Sequence, residues 1–353
     1  MYEKNKNIAV LYALAAAVFY ALNVPCSKLL LAHIEPTVMA AFLYFGAGFG
    51  VGIMYLFHRK KEVSSERLAK KDLPYTIGMI LLDIIAPILL MIGVKYGTAS
   101  GASLLGNFEI VATTMIAFIL FREKISKKVW AAVGLITLAS LILSFGNIGS
   151  LHFSIGSLFV LGATVCWGME NNCTKSISEK STYQIVTIKG IGSGTGSLIV
   201  AALLGERIPP AKYLLPALVL GFVAYGLSIF TYIRAQKELG AAKTSAYYAV
   251  APFIAAFLSF VFLHEKLTVV YLAAFLVMFV GTALLTADTL AHYHSHQHQH
   301  TFTHTHGGTT HTHTITHDHS HLHYVSDAVH GHRHSRHELE KIVSELHVKE
   351  HLQ

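Results

Sequence analysis

Tyr20-Ala21-Leu22-Asn23-Val24-Pro25-Cys26-Ser27-Lys28 returns 147 residues later as Trp167-Gly168-Met169-Glu170-Asn171-Asn172-Cys173-Thr174-Lys175. Aromatic aligns with aromatic, small with small, Cys with Cys, hydroxyl with hydroxyl and Lys with Lys. A second pair, Phe121-Arg122-Glu123-Lys124-Ile125-Ser126 and Leu263-His264-Glu265-Lys266-Leu267-Thr268, repeats at an offset of 142. Each copy of that pair follows a Gly/Ala-rich start, Gly97-Thr98-Ala99 and Gly240-Ala241-Ala242. Two matches in nearly one register divide the chain into similar halves, 1–147 and 148–287, and leave 288–353 as a segment of another kind.

Outward from these motifs the sequence is apolar. Hydrophobic residues make up 53% of the 353, charged residues only 13%, and the mean hydropathy is +0.50. This balance belongs to a protein whose solvent is a bilayer. Up to Ala287 the charges sit in short clusters between apolar stretches of roughly 18–24 residues, the length that crosses a hydrocarbon core. The stretches predict spans over 8–31, 36–57, 74–94, 98–121, 129–146, 153–174, 183–204, 213–233, 242–263 and 268–287. An open sheet cannot satisfy its backbone in lipid, so the expected fold class is all-α, a bundle of about ten transmembrane helices. Small residues such as Gly46-Ala47-Gly48-Phe49-Gly50 and Gly190-Ile191-Gly192-Ser193-Gly194-Thr195-Gly196 would let those helices approach closely.

Five spans in each half is an odd number, so the second half must enter the membrane from the opposite face, an inverted-topology 5+5 repeat. Lysine and arginine collect in alternate loops, among them Arg59, Lys60, Lys61, Lys70, Lys71, Arg122, Lys124, Lys127, Lys128 and Arg234. The opposite loops hold Lys95, Arg207, Lys212 and Lys266. The positive-inside rule then places both termini in the cytoplasm, with the chain in the cytoplasmic membrane. The same charges account for the basic balance without a nucleic-acid partner. The first apolar stretch lacks a small-residue cleavage site and is expected to stay as a helix. Three cysteines, all inside predicted spans, form no CxxC pair. Nor is there a nucleophile motif, a phosphate-binding glycine loop in strand-to-helix context or an HExxH helix, so an enzyme is not expected.

The motif ending the first span, its echo in the sixth, and the apolar-x-Glu-Lys endings of the fourth and ninth resemble the drug/metabolite transporter superfamily, specifically its EamA-type members. The resemblance covers roughly residues 8–287. It implies ten helices in two inverted halves and alternating access for a small solute, from amino acids to nucleosides and drugs, without selecting one. One departure concerns proline. The family often carries Glu-Pro or Pro in the middle of the fourth and ninth spans, whereas here the fourth has Glu109-Ile110 and the ninth keeps Pro252. The two halves are therefore expected to bend differently.

An ionisable side chain in the bilayer core costs at least about 2.5–3.5 kcal/mol, which makes it a functional candidate. Glu170 leads, with Cys166, Cys173 and Thr174 on its helical face. Asn23 aligns with it in the first half, so the two are expected as a pseudo-symmetric pair beside a central cavity. Glu170, Asn23, Glu109, Asn171, Thr174 and Tyr247 are the candidate solute ligands, and Glu170, Glu109 and Asp83 the candidate coupling-ion carboxylates. Each carboxylate could instead hold neighbouring helices together, Lys28 and Lys175 could simply snorkel, and Glu170 with the cysteines could bind a metal.

After Ala287 the composition changes. The tail holds 19 of the 23 histidines, with pairs such as His292/His294, His296/His298/His300, His304/His306, His311/His313 and His317/His319/His321/His323. Rich in Thr, Ser and Gln and poor in aliphatic residues, it is expected to be disordered from about 288 to 335, with a short amphipathic helix over 338–352. Neutral imidazole suits zinc, nickel, cobalt and copper, so metal binding is expected here, while no cofactor is required by the body. The partners expected are a small solute, membrane lipid, a divalent metal on the tail and a second copy of the chain. A divalent-metal transporter, or a membrane-anchored metal buffer or sensor, remains the alternative, and a pH-sensitive cationic tail uses the same histidines without metal.

Overall fold

The computed structural model describes residues 2–59, 62, 67–121, 126–145, 154–177, 179–239, 244, 247–306 and 309–324. Two units are distinguished, Met1–Thr289 and Leu290–Gln353.

The first unit is helical throughout its described residues. The first half comprises α1 (Tyr2–Ala21) and α2 (Asn23–Leu30), then α3 (Pro36–His58), α4 (Leu73–Tyr96), α5 (Ala99–Leu105) with α6 (Phe108–Phe121), and α7 (Lys127–Ser144). The second half comprises α8 (Ile155–Ser176), α9 (Thr182–Leu203), α10 (Ala211–Gly221) running through a π-helical turn at Phe222–Leu227 into α11 (Ser228–Leu239), then α12 (Ala251–Leu263) and α13 (Val269–Leu290). Ten spans result, five in each half. Seven helical runs among the described residues cross a membrane on length and composition alone. The other three are the divided fourth span, the short ninth, and α8, whose Glu170, Asn171, Asn172 and Lys175 lower its hydropathy.

Four spans are interrupted, and each interruption has a local cause. Pro25 has no N–H and its ring crowds the carbonyl of Ala21, so the first span breaks at Leu22. The fourth span turns at Gly106-Asn107, and the ninth turns at Ala249-Val250, 142–143 residues later. In the ninth, Pro252 lies in the first turn of α12, where a missing N–H removes no helical bond. Both halves therefore break at the same place with or without proline, which corrects the expectation that they bend differently. The eighth span is widened by the π turn, a feature common at functional sites.

The core is the crossing of α3 over α9. A Cβ on Gly48 would lie 2.7 Å from the backbone nitrogen of Ile191, so glycine is required for the two backbones to approach this closely. Around the crossing pack Val38, Met39, Leu43 and Tyr44 of α3 with Leu90 and Met91 of α4. Outward faces carry Leu11, Phe57, Ile119, Leu203 and Val269, apolar and exposed as lipid requires.

The motif residues tie helix ends. Lys28 Nζ donates to the carbonyls of Val94 (2.6 Å), Lys95 (3.0 Å) and Gly97 (2.7 Å), neutralising the negative C-terminal end of α4. Glu265 accepts from the N–H groups of Ala99 (2.7 Å) and Ser100 (3.0 Å) at the start of α5. Glu206 accepts from Thr37 and Val38 at the start of α3. At the other end of the bundle Glu62 accepts from Tyr55 (2.9 Å), Gln184 (2.9 Å) and Arg67 (3.2 Å). Burial pushes the Glu62 carboxyl up, but hydrogen bonds from Ser181, Tyr55, Gln184 and Arg67 outweigh it and hold the group below the usual carboxylate range. The corresponding Glu123-Lys124 and Gly240-Ala241-Ala242, and the helix expected over 338–352, lie outside the described residues.

In the second unit β1 (Ala291–His306) and β2 (Thr309–Tyr324) pair antiparallel. Over these residues the expectation of disorder is corrected. His alternates with Thr, Gln and Ser at the period of a strand, threonine favours extended backbone, and two glycines separate the runs where a hairpin needs unusual dihedrals.

Candidate functional site

Three charges meet between the halves. Lys189, in the second turn of α9, places its Nζ 2.9 Å from Asp83 Oδ2 of α4 and 2.9 Å from Glu170 Oε1 of α8. All three residues are buried, Asp83 completely. Tyr44 of α3 donates to Asp83 Oδ1 at 2.8 Å, and Thr174, one turn beyond Glu170, donates to Glu170 Oε1. A carboxylate from each half is thus bridged by one ammonium at the depth where lone charges are most costly.

Asn23 is not part of this contact. Its amide Nδ2 donates to Tyr225 OH at 2.9 Å, and its Oδ1 accepts from Ser27 at 3.1 Å. Tyr225 lies in the π turn and packs against Tyr44 (ring centroids 5.1 Å apart) and Tyr20 (6.0 Å), with Tyr248 beyond Tyr20 (5.8 Å). Glu109, at the start of α6, accepts from Asn171 Nδ2 at 2.7 Å. Asn107 is buried in the break before it, and its amide has no hydrogen-bond partner among the described residues.

The inverted repeat organises these contacts. Asn23, Tyr44 and Asp83 occupy the first three spans of one half; Glu170, Lys189 and Tyr225 occupy the same three of the other, at offsets of 147, 145 and 142. The first span of each half reaches the third span of the opposite half. Asn23 does so directly through Tyr225, and Glu170 through Lys189 to Asp83. The expected Asn23–Glu170 pair is therefore replaced by a crosswise arrangement of two pairs.

Among the sequence-derived candidates, Glu170, Asp83 and Thr174 come together, Glu109 and Asn171 form a second pair, and Asn23 joins the tyrosines. Tyr248, not Tyr247, belongs to that tyrosine cluster. Lys189 is the central residue that sequence reasoning passed over. Its signal was a lone cation inside a predicted span, aligned with Tyr44. Among the described residues no three of His, Cys, Asp and Glu assemble to hold a metal, and Glu170 faces Lys189. The histidine side chains of the second unit and the side chains of Asn172 and Lys175 lie outside what the structure describes. A separate cavity of about 510 Å³ opens among Tyr96, Thr98, Ser100, Ser157, Glu265 and Tyr271, and none of the three central charges lines it.

The family description "EamA-like transporter family" matches residues 7–145 and again 154–287. An uncharacterized transporter of Methanothermobacter thermautotrophicus is 25% identical over 291 residues, covering 77% of this chain and 84% of the relative. The uncharacterized transporter YyaM of Bacillus subtilis is 24% identical over 267 residues, covering 73% and 86%. A solved crystal structure shares the fold with a TM-score of 0.60 at 16% identity, over 80% of this chain and 98% of that one. Matched in both of its halves, the chain belongs to the EamA-like transporter family.

Proposed function

We propose that this membrane transporter is a secondary carrier that exports a small metabolite or drug across the cytoplasmic membrane by alternating access, with both termini in the cytoplasm. The observation that carries this reading is the Asp83–Lys189–Glu170 bridge between halves. A buried pair is strongly attractive only while both partners are in place, and losing one leaves an uncompensated charge. A proton on Asp83 or Glu170, or a solute group competing for Lys189, therefore weakens the link between halves at the point where they must part. Glu109 and Asn171 supply a second polar pair, and Asn23 with Tyr225 the neutral counterpart of the bridge. The coupling ion in this reading is a proton, carried by Glu170, Glu109 or Asp83, and the tail is an accessory divalent-metal binder.

The test is flux in proteoliposomes with a broad metabolite panel and an imposed pH gradient. Substrate-dependent flux that falls at least about tenfold in Glu170→Gln is expected, the size of effect that loss of one tight polar contact produces. No flux for any solute, or flux indifferent to Glu170→Gln, overturns the reading. Including zinc, nickel and cobalt in the panel separates a metal carrier from a metabolite carrier whose tail binds metal.

A further inference from the structure

The strand register of the second unit aligns histidine with histidine. His292 is opposite His323, His294 opposite His321, His296 opposite His319 and His298 opposite His317, with His304 opposite His311 nearer the turn. Because strand side chains alternate between faces with period two, the first four rungs share one face. Opposed residues in an antiparallel pair lie about 4.5–5.5 Å apart at Cα, and successive same-face positions about 6.6–6.8 Å apart along the strand. Two neighbouring rungs thus place four imidazole-bearing positions at the corners of a small rectangle, the number and type of ligand that suits a tetrahedral zinc-like ion. The opposite face carries Tyr293/Leu322, Ser295/Ser320 and Gln297/Asp318. Next to the fourth rung the pattern stops, where His300 faces Ile315 and Phe302 faces His313.

We propose that rungs 292–298/317–323 form a register-defined metal ladder that takes up to two divalent transition-metal ions, each across two adjacent rungs. This deepens the accessory-metal reading above and rests on it. It differs from a flexible histidine buffer in one respect: binding depends on which histidines stand opposite one another, and not only on how many there are. Metal uptake also requires neutral imidazole, so occupancy falls as the pH drops through about 6.5.

Parity of insertion tests it in the purified full chain. One threonine added between Thr301 and Phe302 keeps every histidine but moves each of the four rungs off its partner and onto the other face. Two residues added at the same point restore four rungs, as His300/His317, His298/His319, His296/His321 and His294/His323. Zinc titration by calorimetry and the visible absorption of four-coordinate cobalt(II) are the readouts. Expected are two ions for the parent, a fall of about tenfold or more in affinity with loss of the tetrahedral cobalt spectrum for the single insertion, and recovery for the double, since ligand geometry sets the site. Equal binding by all three chains overturns the ladder while leaving a metal-binding tail. Absence of zinc and cobalt binding in the parent overturns the accessory-metal reading as well.

Discussion

Lys189 holds together two carboxylates that would otherwise repel each other, at a depth where water cannot screen them. Lys189→Met should therefore lower stability by about 3–5 kcal/mol, the cost of leaving buried charge unpaired. A fall in the thermal midpoint in detergent measures it. Combining that change with Asp83→Asn and Glu170→Gln should return most of the stability without returning flux, and an unchanged midpoint in the single variant would refute the pairing. Glu170 and Asp83 were legible because a carboxylate within an apolar stretch stands out. Lys189 was not, because six residues past the expected start of its span a long aliphatic stem reads as a snorkelling end charge. The Asn23–Tyr225 bond was illegible for another reason: its partners lie 202 residues apart, and no local period joins them.

Element positions followed from apolar length, while their interruptions followed from contacts that length does not encode. The break at Gly106-Asn107 has only a glycine to announce it, and the π turn at Phe222–Leu227 has no sequence mark beyond Gly221 and Gly226. The glycine crossing was legible as a stripe, though its partner was not. Gly190→Val should prevent α3 and α9 from closing, since the added atoms would enter the backbone of Gly48; loss of the monodisperse peak in size exclusion is the expected result. At the loop after α3, Glu62 is held below the usual carboxylate range, so it stabilises the fold above that range and the contribution disappears as pH falls through its lowered folded value. Glu62→Gln should accordingly flatten the decline in thermal midpoint between neutral pH and about pH 3. An identical acid decline in both proteins would show that Glu62 does not carry it.

Across the whole molecule the halves depend on each other, through Asn23 to Tyr225, Asp83 to Lys189, Thr37 and Val38 to Glu206, and Ala99 and Ser100 to Glu265. Residues 1–147 and 148–353 made as separate chains should co-purify when expressed together and aggregate when expressed alone. Recovery of either half as a stable monomer would contradict this dependence. The duplication was visible in the motifs because Lys28 and Glu265 satisfy helix ends, a need that both copies share. The hairpin was not, because composition was weighed there before period.

The crosswise pairs have a thermodynamic consequence. In the proposed cycle, the two states of a carrier built from identical inverted halves would be mirror exchanges of each other, and therefore equal in free energy. Asn23 against Glu170, Tyr44 against Lys189 and Asp83 against Tyr225 remove that equality. The empty carrier then rests on one side by default, and a proton or solute at the bridge is what tips it; at about 1.4 kcal/mol per tenfold change in population, one altered ion pair is enough to set the direction in which it waits.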